Sequence, residues 1–168
     1  MSNKSIFLSV LLFFSTALLF SACKSNKTAN MTDNEKLARE WMLIEMDVKE
    51  GDNYTKENFT KAGAKLDLTK MKDITTDLEG KRMAQGNAFM GCNTIFFTLT
   101  ANSKGGMDKN IEFGQIGMTK KACQENMNLE TIFGRALSEM TKYELDGHFL
   151  TLSSFDGKKM KFVASDWD

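Results

Sequence analysis

Cysteine and histidine are the side chains best suited to covalent chemistry, and the chain holds three cysteines, Cys23, Cys92 and Cys123, and one histidine, His148. A cysteine nucleophile needs a base within reach and a third group to orient that base. His148 stands beside Asp146-Gly147, a pair typical of a tight, exposed turn. A Cys92–His148 or Cys123–His148 thiol hydrolase is therefore a poor fit, no catalytic residue is assigned, and the reading is non-enzymatic. One histidine and two cysteines separated by a long loop do not make a zinc spacing. The twelve methionines are scattered, so they read as core fillers rather than a soft-metal site. No glycine-rich loop links a strand to a helix in the manner of a phosphate cradle. Neither a metal nor a cofactor is expected.

The third cysteine belongs to a different chemistry. Lys4 precedes an apolar run, Ile6 to Phe20, that is shorter than the roughly 20 residues a spanning helix needs. It has the character of a secretory h-region. Leu19-Phe20-Ser21-Ala22-Cys23 then resembles the lipobox of bacterial lipoproteins. That resemblance implies cleavage before Cys23 and acylation of its thiol and new amino group with palmitate-class chains. Several chains anchor stably where one is marginal. The alternative is an ordinary signal peptide with Cys23 incidental. Lys24 follows, with no acidic residue to mark inner-membrane retention, so the expected address is the outer membrane, facing the periplasm. Residues 1–22 are read as the lipoprotein signal peptide, 23–36 as the lipidated cysteine and a flexible polar tether, and 37–168 as the domain.

Cleavage removes one of the 22 basic residues and none of the 22 acidic ones, a mature balance of −1. Without a basic block there is no electrostatic case for nucleic acid. With Cys23 given to lipid, Cys92 and Cys123 remain as an even pair in an oxidising compartment. A disulfide between them would close a loop of about thirty residues, worth about 3 to 4 kcal/mol on the chain-entropy account. Two buried free thiols are the alternative.

The elements that must position these residues are mostly strands. Leu37 to Val48 reads as a strand, with Trp41, Leu43 and Glu45 on one face, although its Glu, Met and Leu also suit a helix. Gly51 to Gly63 reads as turn, with Tyr54 and Phe59 packing it down. Lys65 to Met71 alternates as a strand, and Lys81 to Gln85 opens another. Gly86 and Gly91 bracket Phe89 and Met90, which suggests a bulge or bend. Thr94 to Thr100 and Asp108 to Phe113 form a hairpin about Asn102 to Gly106. Asn128 to Lys142 is the one clear helix: Leu129, Ile132, Phe133, Ala136, Leu137 and Met140 make one apolar stripe. Asn126 or Asn128 caps it, and Glu130, Arg135, Ser138 and Glu139 form the polar face. Asp146-Gly147 and Asp156-Gly157 mark the turns of a C-terminal meander.

The ordered set Gly91-Cys92-Asn93, Met118-Thr119-Lys120-Lys121-Ala122-Cys123, a helix, and Tyr143 followed by Leu145, Gly147, Leu150 and Leu152 resembles the META domain, the family of the bacterial heat-shock protein HslJ. Trp41 fits the same pattern, and the resemblance covers Leu37 to Val163. The family motif residues are then Gly91, Cys92, Asn93, Thr119, Ala122 and Cys123. The resemblance implies a role in envelope stress or antibiotic tolerance, in some members motility or virulence, and no established enzymatic activity.

The expected fold is α+β: an antiparallel, strongly curved β-sheet with one amphipathic helix packed against it. The expected function is that of a lipid-anchored envelope protein that binds another protein or a surface component, with the membrane as its partner through Cys23. The second reading is a carrier of a small apolar ligand in a calycin-like cavity lined by Phe89, Phe96, Phe97 and Phe113.

Overall fold

Alternating apolar and polar residues place one face of each strand on a common core, and every strand pairs antiparallel with its neighbours. The computed structural model describes residues 32–48, 54–73, 75–76, 82–104, 108–123 and 125–167. The signal peptide over 1–22, Cys23 and most of the tether lie outside the described residues, as do Gly105 and Gly106 of the central hairpin. Among the described residues no helix is long and apolar enough to cross a membrane.

The strands are β1 (Glu40–Asp47), β2 (Lys65–Asp67), β3 (Thr75–Thr76), β4 (Arg82–Phe89), β5 (Thr94–Lys104), β6 (Asp108–Met118), β7 (Met140–Asp146), β8 (Phe149–Ser154) and β9 (Lys159–Ala164). Their order is β2-β1-β9-β8-β7-β6-β5-β4-β3, and β2 also pairs with β4. That extra pairing closes eight strands into a barrel, with β3 as a short annex on β4. The strongly curved antiparallel sheet of the sequence reading is thus a closed ring. Only three residues of β2 complete it, a closure that no strand pattern announces.

An eight-stranded barrel is just wide enough for side chains to fill. Here Trp41, Leu66, Ile95, Leu99, Leu150 and Phe162 fill it, none more than 1% exposed. Burying each such side chain contributes roughly 1.5 to 3 kcal/mol. Of the four phenylalanines expected to line a ligand cavity, Phe97 and Phe113 are core residues in edge-to-face contact at 5.2 Å. Phe96 is 51% exposed, outside the wall. A recess near Asn34, Met71 and Leu99 measures about 70 Å³, well below the roughly 300 Å³ at which ligand sites begin. The packed interior thus corrects the expectation of a calycin-like cavity.

Three α-helices, not one, accompany the barrel among the described residues: α1 (Asp33–Leu37), α2 (Lys56–Ala62) and α3 (Met127–Glu139). α1 falls in the stretch read as tether and starts with a capping box between Thr32 and Glu35. α2 falls in the stretch read as turn. Thr55 and Asn58 form its capping box, and Gly63 ends it in the left-handed region at φ 63°. Both boxes are legible patterns, but helices this short hold only through tertiary contact: Leu37 and Phe59 are buried.

Three strands depart from expectation for local reasons. A bulge between Leu43 and Glu45 shifts the register of β1, so Met46 faces Met160 and Glu45 leaves the face of Trp41 and Leu43. β2 stops at Asp67 because its carboxylate accepts from Thr69 N and Oγ1 and turns the chain into the 3-10 segment Thr69–Lys72. β6 continues to Met118 through a bulge at Gln115, φ 48°. The β7–β8 turn centres on Gly147-His148, since Asp146 pairs with Phe149; of the pair only Gly147 takes positive φ.

α3 follows the apolar stripe of the sequence. β7 meets β6 only at Asn110–Lys142, so the distal half of β6 is left to α3, where Gly134 faces Met118 and Ile95. The helix therefore closes the part of the wall next to the β4–β5 turn.

Candidate functional site

Gly91, Cys92 and Asn93 form the turn between β4 and β5. Gly91 takes φ 110°, and a Cβ there would lie 2.9 Å from Asn126 Cγ, so only glycine fits. Cys92 and Cys123 form a disulfide, their Cα atoms 6.2 Å apart and 31 positions apart in sequence. The bond ties the turn to the strap Thr119–Cys123 that leaves β6.

Asn93, 4% exposed, satisfies the polar groups of this junction. Its Oδ1 accepts from the Thr119 hydroxyl at 2.8 Å and from Lys121 N–H at 2.7 Å. Its Nδ2 donates to Glu130 Oε2 at 2.8 Å and to the Lys121 carbonyl at 3.3 Å, and its backbone N–H donates to Glu130 Oε1. Thr119 Oγ1 in turn accepts from Thr94 N–H at 3.1 Å. Buried polar groups are costly unless paired, and here one asparagine pairs turn, strap and helix at once.

The structure thus brings Gly91, Cys92, Asn93, Thr119 and Cys123 together. Ala122 is exposed, and no contact explains its place in the motif. Glu130 is the participant that sequence reasoning missed: assigned to the polar face, it is 2% exposed. Its spacing held a signal, since Glu130, Phe133, Gly134 and Leu137 fall at i, i+3, i+4 and i+7, on one helix face. Asn126 is the N-cap residue, but at φ 69° it makes no side-chain cap bond.

The cluster has little chemistry to offer beyond cohesion. Its sulfurs are joined, its carboxylate is occupied by two donors, and its amide is saturated. His148 is remote from it in the fold: its ring stacks on Trp167 at 4.4 Å with an 8° interplanar angle, at an exposed turn. No group of three metal-ligating side chains occurs among the described residues.

The META domain matches residues 35–167. The chain belongs to the META domain family. This META chain also resembles a protein from Burkholderia xenovorans solved by NMR, with a TM-score of 0.53 and 20% identity, over 80% of this chain and 87% of that one. At that identity the likeness is one of fold. A DUF4847-family protein from Bacteroides vulgatus aligns at a TM-score of 0.42 and 18% identity, over 79% of this chain and 96% of that one. No curated protein matches.

Outside this cluster, Asp67 and Tyr143 have shifted titrations. Partial burial pushes the Asp67 carboxyl up, but hydrogen bonds from Thr69 and Asn87, with the Lys65 charge, outweigh it and hold the group below the usual carboxylate range. Burial, helped by the Asp33 charge, pushes Tyr143 up to about 12. Its hydroxyl is buried and makes no hydrogen bond among the described residues.

Proposed function

We propose that this META domain is held at the outer membrane, facing the periplasm, by acyl chains on Cys23. There it contributes to stress or antibiotic tolerance, without catalysis, by binding another protein or envelope component. The observation that carries the reading is the Cys92–Cys123 disulfide. It suits an exported protein, and it leaves Cys23 as the one cysteine free for lipid. The same bond removes both candidate thiol nucleophiles, and His148 is engaged with Trp167 rather than with sulfur. Short polar spacing between Cys23 and α1 suits a tether that holds a rigid barrel close to a surface.

Mass spectrometry of the membrane-extracted protein tests the anchor: acyl mass on Cys23 is expected, and Cys23→Ser should release the chain to the soluble fraction. Retention of Cys23→Ser in the membrane would refute the anchor. In-cell crosslinking from stressed and unstressed cultures tests the binding role. A reproducible captured species and reduced survival on deletion are expected. Unchanged survival with no captured species would refute it.

A further inference from the structure

The barrel is full inside, but its outer face is not uniformly polar. Met42 of β1 pairs with Val163 of β9 and with Lys65 of β2, and Lys65 pairs with Phe89 of β4. Cross-strand partners share a face, so Val163, Met42, Lys65 and Phe89 form one row on the outside of the wall. Ile44, the extra residue of the β1 bulge, extends the row. α2 packs beside β1 with Phe59 buried beneath it. Between helix and row runs a mainly apolar groove of about 560 Å³. That volume lies in the range of about 300 to 1,000 Å³ typical of small-molecule sites.

The charges along the groove are unequal. Lys65 Nζ is tied to Glu40 Oε2 at 2.7 Å, so that edge is neutral. Lys56, on the α2 side, lines the same groove, and its ammonium has no anionic partner among the described residues. An apolar trough whose rim carries, among the described residues, one uncompensated cation is complementary to a long alkyl chain with one anionic head. A protein occupant fits less well. Of the large apolar side chains lining the groove, only Met42 is exposed, at 42%, while Ile44, Phe89 and Val163 are half-buried, whereas a standard interface takes about 800 Å² per partner.

We propose that the groove between α2 and the outer face of β1 binds a free long-chain fatty acid, its carboxylate on Lys56 and its chain along Met42, Ile44, Phe89 and Val163. This site is distinct from the disulfide junction and does not depend on acylation of Cys23.

The test uses the chain from Cys23 to Asp168 with Cys23→Ser, which removes the lipid acceptor. This chain keeps every core residue found among the described residues, from Leu37 to Ala164. Palmitate is titrated below its micelle concentration and followed by calorimetry and by backbone amide shifts. Saturable one-to-one binding is expected, with a micromolar Kd and shifts concentrated at Met42, Ile44, Phe89 and Val163. Lys56→Glu should weaken binding about tenfold. Lys61→Glu, on the same helix and already paired with Glu125 at 4.0 Å, should leave it unchanged. Hexadecanol, with the same chain and no charge, should bind more weakly than palmitate. The proposal is overturned by the absence of saturable binding tighter than about 1 mM, by shifts centred elsewhere, or by equal loss in the Lys56 and Lys61 variants. Equal affinity for palmitate and hexadecanol would overturn it as well.

Discussion

Glu130, in the first turn of α3, holds both nitrogens of Asn93, 37 positions earlier in the chain. Helix and turn are thereby joined beside the disulfide by a buried carboxylate with two donors. Removing the carboxylate strands a buried N–H, and hydrogen bonds to charged groups are worth about 1.5 to 3 kcal/mol. Glu130→Ala should lower stability by about 3 kcal/mol, read as a shift in the urea midpoint with unchanged slope. Glu130→Gln should cost nearly as much, because its amide N–H₂ faces two donors. A double-mutant cycle with Asn93→Ala should be strongly non-additive; additive losses would show that the pair does not act as a unit.

The disulfide closes a long loop across the same junction. Replacing both Cys92 and Cys123 by Ser should lower stability by about 3 kcal/mol while far-ultraviolet circular dichroism stays unchanged. Peptide mapping without reductant should recover the Cys92–Cys123 crosslink. Two free thiols in protein isolated from the envelope would contradict the assignment.

Two glycines should respond to alanine with opposite signs. A Cβ on Gly86 would fall against the Phe97 ring, 2.7 Å from Cζ, and 3.1 Å from the Asp67 carbonyl. Overpacking of this kind costs about 1 to 3 kcal/mol, so Gly86→Ala should destabilise. A Cβ on Gly134 would meet Met118 and Ile95 at 3.8 and 3.9 Å, ordinary contact. Gly134→Ala should therefore stabilise by up to about 1 kcal/mol through helix propensity. Thermal midpoints moving in the same direction would contradict this account of the two sites.

Asp67 sets an acid limb. Its folded pKa is depressed, so its contribution is present above the unfolded value of about 3.9 and is lost as pH falls through the folded value. Asp67→Asn should lower stability at neutral pH and flatten the dependence below about pH 4. An unchanged acid limb in urea titrations would exclude Asp67 as its source.

Tyr143 works in the alkaline range. Its folded pKa, raised to about 12, means that the folded state keeps a proton the unfolded chain gives up near 10. Stability from this group is present below about pH 10 and lost as pH rises toward 12. The hydroxyl is buried without a partner, so Tyr143→Phe should be neutral or stabilising by about 1 kcal/mol. It should also remove the alkaline decline. Clear destabilisation by Tyr143→Phe would reveal a hydrogen bond on the hydroxyl.

Much of the architecture was legible from residue order because its causes are local. Alternation marked the strands of the meander, the apolar stripe marked α3, and Gly91-Cys92-Asn93 with Met118 to Cys123 pointed to the META domain. Other features depend on partners far away in the chain. Closure of the barrel rests on β2 pairing with both β1 and β4, a choice between edges that three residues do not encode by themselves. Burial of Glu130 depends on where the β4–β5 turn lands, since a first-turn carboxylate suits solvent equally well. The groove beside α2 likewise exists only because a bulge in β1 and a short capped helix meet on the outer wall. Periodicity and turn chemistry act over a few residues, so they show in the sequence. Ring closure, carboxylate burial and groove shape are set by which surfaces meet, and only the packed chain decides that.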